Sequence, residues 1–193
     1  MSATSARAGV RRRVFRFSAV AAFAATACES GDTNFVRGHG LTVDTLAAAD
    51  QARVYEAAAR GSFDVDNTSL LLDRRLLPRE TGLAEAGRVP DAVVAELRRR
   101  GTIKGTCEPP LTGTRGAPRC AAQYPGYVVR YSPVFAIVRD SVQVYLYAQK
   151  YDTPASGHAE SLRFERAYQV VRHGGEWRAA REGHVPKDVR GER

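Results

Sequence analysis

The sequence lacks the short motifs that mark the commonest enzyme chemistries. It has no Gly-x-Ser-x-Gly elbow, no Ser-x-x-Lys, no His-Glu-x-x-His, and no glycine pattern of the P-loop or dinucleotide kind. Its four histidines, His39, His158, His173 and His184, are scattered over segments that read as tether, turns and tail. Asp152, His158 and Glu160 would supply an acid and a base, but no nucleophile accompanies them. No catalytic residue, metal ligand set or cofactor is therefore expected. No apolar run approaches the roughly 18 residues that a transmembrane helix needs. The first 27 residues contain no Asp or Glu, yet they hold Arg7, Arg11, Arg12, Arg13 and Arg16. Those five account for most of the net charge of +8 and leave +3 for the remainder. Such a mild excess does not make the clustered basic face of a nucleic-acid binder, and none is expected as a partner.

What the first 27 residues do contain is ordered. A basic stretch, Arg11 to Arg16, precedes an Ala-rich apolar run from Phe17 to Ala25, and Ala25-Thr26-Ala27 ends it with small residues. Positive charge holds such an N-terminus on the cytoplasmic side while the apolar run enters the membrane. Residues 1–27 are accordingly expected to be a cleaved signal peptide. Cys28 follows at once, and Ala25-Thr26-Ala27-Cys28 resembles the lipobox of bacterial lipoproteins. The resemblance implies lipidation of Cys28 and a partner in the membrane itself, with ordinary cleavage after Ala27 as the alternative. Three acyl chains would exceed the two signals that stable anchoring takes. Arg12-Arg13-Val14-Phe15 also resembles a twin-arginine export signal, so either export route stays open.

Cysteine is scarce, with three residues, and an odd count in an exported chain needs an explanation. With Cys28 on lipid, Cys107 and Cys120 remain as an even pair, and a disulfide between them is expected in an oxidising compartment. The segment between them is rich in Pro and Gly and reads as an irregular loop. Residues 28–42 are polar and read as a tether, about 45 Å long if fully extended.

One domain is expected over 43–183, with a polar tail at 184–193. The pattern from Asp44 to Arg60 predicts a helix capped by Asp44 and ended by Gly61. Asp64-Val65-Asp66-Asn67 reads as a turn, because a calcium loop would need a central Gly and a terminal Glu that are missing. A strand is expected from Ser69 to Leu77, and a short second helix starts at Pro90 with Val93, Val94 and Leu97 on one face. Arg98, Arg99 and Arg100 complement the negative end of that helix before Gly101 breaks it. Further strands are expected at 127–131, 133–139, 142–151, 162–172 and 177–182, with hairpin turns at Asp140-Ser141 and at His173 to Glu176. Trp177 is expected to bury against the first helix.

The closing segment, Phe164 to Arg172 followed by Gly174-Gly175-Glu176-Trp177, resembles the last hairpin of NTF2-like and cystatin-like envelope domains. The fold expected is α+β: an N-terminal helix on a meandering antiparallel sheet of about five strands, with a short second helix and a disulfide-closed loop. Tyr145, Tyr147, Tyr151 and Tyr168 form the candidate binding face, since tyrosine offers apolar area with a polar tip. The expected function is that of a lipid-anchored bacterial envelope protein, periplasmic or surface-exposed. Its small domain would bind an unknown protein or small molecule. The alternative is a small NTF2-like hydrolase or isomerase with a cavity in the sheet.

Overall fold

A computed structural model of the chain describes residues 42–77, 87–108, 126–151 and 162–184. The elements are β1 (Thr42–Val43), α1 (Ala48–Ser62), β2 (Ser69–Leu72), α2 (Asp91–Arg99), β3 (Gly105–Thr106), β4 (Gly126–Tyr131), β5 (Phe135–Val138), β6 (Ser141–Tyr151), β7 (Arg163–His173) and β8 (Glu176–Gly183). The described strands join one curled sheet, and among the described residues strand outweighs helix by 47% to 22%. The signal peptide, Cys28 and most of the tether lie outside the described residues.

The long strand β6 organises the sheet. One of its sides pairs with β7 from Ser141↔Val171 to Gln149↔Arg163, and β8 continues that side through a two-residue turn. Gly174 and Gly175 both have positive φ, 58° and 86°, as a type I′ hairpin turn requires. The other side of β6 is shared: β4 pairs with its C-terminal half and β5 with its N-terminal half. Between Tyr131↔Leu146 and Phe135↔Gln143, three residues of one chain segment oppose two of the other. This bulge turns Tyr131 toward the helices and Phe135 toward the opposite face, which a regular strand would not do. Ser132 repairs the broken ladder. Its backbone N–H donates to the Tyr145 carbonyl at 3.0 Å, and its hydroxyl accepts from the Tyr145 N–H at 2.9 Å.

The expected fold is corrected in two respects. The sheet has eight strands rather than about five, and it is mixed rather than a meander. β2 runs parallel to both β3 and β4, and α2 lies between β2 and β3 in the chain, so the three form a crossover unit. A helix that returns the chain to the starting end of a sheet makes parallel pairing the natural outcome. The disulfide-closed loop is not part of the described structure. Cys107 follows β3, whereas Cys120 lies outside the described residues.

The helices cover one face. α1 is alanine-rich and buries Ala52, Val54, Tyr55, Ala57, Ala58 and Ala59, so its backbone lies close to the sheet. It begins later than its polar flank suggests. Ala47 precedes it without a side-chain cap, while the Asp44 N–H donates to the Val134 carbonyl and closes β1 onto the sheet. Nor does Gly61 end it: the helix runs to Ser62, and a Cβ at Gly61 would lie 2.7 Å from the Tyr168 ring. Glycine here makes room for an aromatic side chain. α2 starts after Pro90 and buries Val93, Val94 and Leu97, and Gly101 ends it with φ 75°. Both helices share one core with Leu70, Leu72, Tyr131, Val144, Leu146, Tyr168 and Trp177.

Candidate functional site

The four tyrosines of the expected binding face do not make one. Cross-strand partners in an antiparallel pair share a face, and Tyr168 opposes Val144, so it points to the helix side. There it is buried, and its hydroxyl shares a hydrogen bond of 2.5 Å with Ser62 Oγ. Burial pushes its pKa up, against the opposing effect of that bond. Tyr145, Tyr147 and Tyr151 occupy the other face of β6. Tyr145 is buried with Phe135 and Ala167, and its hydroxyl accepts from Gln143 Nε2 at 2.8 Å. Tyr151 is buried with Leu71 and Val128, its hydroxyl 3.1 Å from Ser69 Oγ. Only Tyr147 is part-exposed, and it donates to Gln149 Oε1 at 3.0 Å. Packing within the protein thus uses most of the aromatic area that the alternation in β6 offered to a ligand.

The acid–base grouping of Asp152, His158 and Glu160 lies outside the described residues, as does His39. His173 and His184 are exposed at strand ends. Residues 64–67 form a turn in which Asn67 Nδ2 donates to Asp64 Oδ2 at 2.7 Å. Among the described residues no group of three or more His, Cys, Asp or Glu side chains is placed to hold a metal ion. The space between α1 and the sheet is filled. Tyr55 stacks on Tyr131 with ring centroids 4.4 Å apart, and the Tyr55 hydroxyl donates to the Ser132 carbonyl at 3.0 Å. Burial raises the pKa of both phenols, so they remain neutral there.

A different place has the character of a site. A cleft of about 360 Å³ opens between α1, the end of α2 and the β7–β8 turn. Arg53, Glu56, Ala57 and Arg60 contribute one stripe of α1, Arg100 the end of α2, and Gly175, Glu176, Trp177 and Arg178 the facing hairpin. Glu56 is its anchor, 8% exposed. One of its oxygens accepts from Arg60 Nε at 3.1 Å, and the other accepts from Arg100 Nε. The bond to Glu56 pushes the Arg60 pKa up, and Asp66 adds to it. Glu176 is held by Arg178 at 2.6 Å, which keeps its carboxyl below the usual range. Trp177 walls the cleft at 9% exposure, and its Nε1 donates to Asp50 Oδ1 at 3.3 Å, which ties β8 to the start of α1.

No family model, curated protein or solved structure matches this chain. What the cleft can do follows from its own groups. Each of its two carboxylates is already engaged by arginine, so what it offers a ligand is positive charge and N–H donors. Its residues run from Arg53 to Arg178, more than a hundred positions apart in the chain, and only the spacing of Arg53, Glu56, Ala57 and Arg60 on one helical stripe was visible locally. Arg100, at the C-terminal end of α2, also reaches Glu56 of α1.

Proposed function

We propose that the chain is an exported bacterial envelope protein, anchored by lipid at Cys28, whose folded domain is a binding module. The observation that carries the reading is the leader: an arginine cluster, an alanine-rich apolar run and Ala25-Thr26-Ala27-Cys28 in immediate succession. The polar stretch that follows Cys28 in the sequence would let the domain work off the membrane surface, with the membrane as its first partner. Among the described residues no helix is long and apolar enough to cross a membrane. The binding module is favoured over a small enzyme of NTF2-like kind by the filled core. Tyr55, Tyr131, Tyr168, Leu97 and Trp177 occupy the space in which a cone-shaped catalytic cavity would lie. The arginine-lined cleft offers a small molecule or a polar partner a place to bind instead.

The anchor is tested by fractionation. Cys28→Ser is expected to move the protein from membrane to soluble fractions and to abolish labelling by a fatty-acid analogue. An unchanged distribution, with an unmodified Cys28 at the N-terminus, would refute the lipoprotein reading.

A further inference from the structure

We infer that the cleft between α1 and the β7–β8 hairpin is a phosphate site, taking inorganic phosphate or the phosphate group of a small monoester. This inference rests on the reading of the domain as a binding module and names the ligand class of that module. Four guanidiniums line the cleft against two carboxylates, while Asp50, Asp66 and Glu96 meet Arg53, Arg60 and Arg100 from outside its lining. The carboxylates are spent. Glu56 accepts from Arg60 and Arg100 through both oxygens, and Glu176 is paired with Arg178.

The way Glu56 is bonded also decides what remains. Arg60 and Arg100 both reach it through Nε, which leaves their terminal nitrogens for other acceptors. Those nitrogens are lightly used: Arg60 meets the exposed Asp66 at 3.4 Å, and Arg100 lies 3.8 Å from Glu96. A guanidinium presents a planar fork of donors that fits phosphate oxygens, and such charge-assisted bonds are about twice as strong as neutral ones. Fixing two forks on a buried carboxylate removes part of the ordering cost of binding. Arg53, paired with Asp50 at 3.1 Å and in electrostatic reach of Glu96, and Arg178 stand on the facing walls. The cleft volume lies at the small end of the range for ligand pockets, which suits a phosphate and a short organic remainder.

Trp177 is the only tryptophan and lines the cleft, so its emission reports occupancy directly. The chain, purified in non-ionic detergent, is titrated at constant ionic strength with inorganic phosphate, glycerol phosphate and dihexanoyl-phosphatidylglycerol. Sodium chloride serves as the blank, since unspecific charge attraction is screened by salt. A saturable change with a phosphate probe and none with chloride is expected. Tighter binding of inorganic or glycerol phosphate than of the short-chain lipid, a phosphodiester monoanion, assigns the site to free phosphate and soluble monoesters, and the reverse order overturns that ligand class in favour of a lipid headgroup. The double variant Arg53→Gln/Arg178→Gln removes two of the four lining guanidiniums and leaves the Glu56 brace in place, and it should weaken binding by roughly tenfold or more. No saturable change with any of the three probes, or unchanged affinity in the double variant, overturns the inference. Saturable binding of glucose or spermidine in place of phosphate also overturns the ligand class, yet leaves the binding module standing. Fractionation of Cys28→Ser tests the anchor independently of all these outcomes.

Discussion

Ser132 shows how much one side chain settles in this fold. It is fully buried, and its hydroxyl stands in for a backbone acceptor at the bulge, taking the Tyr145 N–H at 2.9 Å while donating to the Pro133 carbonyl at 2.7 Å. Its carbonyl also accepts the Tyr55 hydroxyl. Alanine would fit the space but remove the hydroxyl that accepts the Tyr145 N–H, and loss of the acceptor for a buried donor costs about 1–3 kcal/mol. Ser132→Ala is therefore expected to lower the free energy of unfolding in urea by that amount, with little change in the slope. A loss under 0.5 kcal/mol, well below the range for an orphaned donor, would show that the N–H finds another acceptor. Nothing in the sequence marks this role. Ser132 reads as a one-residue gap between strands expected at 127–131 and 133–139, and only the pairing of Tyr131 with Leu146 and Phe135 with Gln143 reveals a bulge.

At the scale of elements, local chemistry was legible and pairing was not. The strands at β4 to β8 stand where alternation and turn residues put them, because period-two patterning and a Gly-Gly turn are properties of contiguous residues. The parallel register of β2 against β3 and β4 depends on α2 and on a strand of two residues, Gly105–Thr106, too short to carry any periodicity. The tyrosine face failed for a related reason. Alternation along β6 sorts its side chains into two faces, but it does not reveal that Phe135, Ala167 and Val128 bury the second one. Glu56 is the clearest case of a link between elements, since it joins α1 to α2 through Arg100. Glu56→Ala removes two charge-assisted hydrogen bonds, each worth about 1.5–3 kcal/mol at most in such settings. The arginines left behind are 45% and 28% exposed and can rehydrate, so the loss stays below the figure for a fully buried pair. A decrease of about 1–3 kcal/mol is expected, and Arg100→Ala in the Glu56→Ala background should add little to it. Additive losses would mean that Arg100 stabilises α2 through some other contact.

For the molecule as a whole, the question is whether so curled a sheet melts as one body. β8 forms one end of the strand order and pairs only with β7 among the described strands, which would suit early fraying. Its tryptophan argues otherwise. Trp177 belongs to the same buried cluster as Leu72 of β2 and Val93 and Leu97 of α2, and Asp50 holds its indole N–H from the first turn of α1. Both helices thus bridge the sheet from β2 to β8, so local loss of β8 would expose apolar surface on several elements at once. The expectation is a single cooperative transition in which Trp177 emission, reporting β8, and far-ultraviolet circular dichroism, reporting all strands and helices, share one urea midpoint. If the emission changed at clearly lower urea, β8 and the cleft it walls would form a separate unit of lower stability. A site made on that unit would then be ordered by its ligand, and phosphate should bring the two midpoints together.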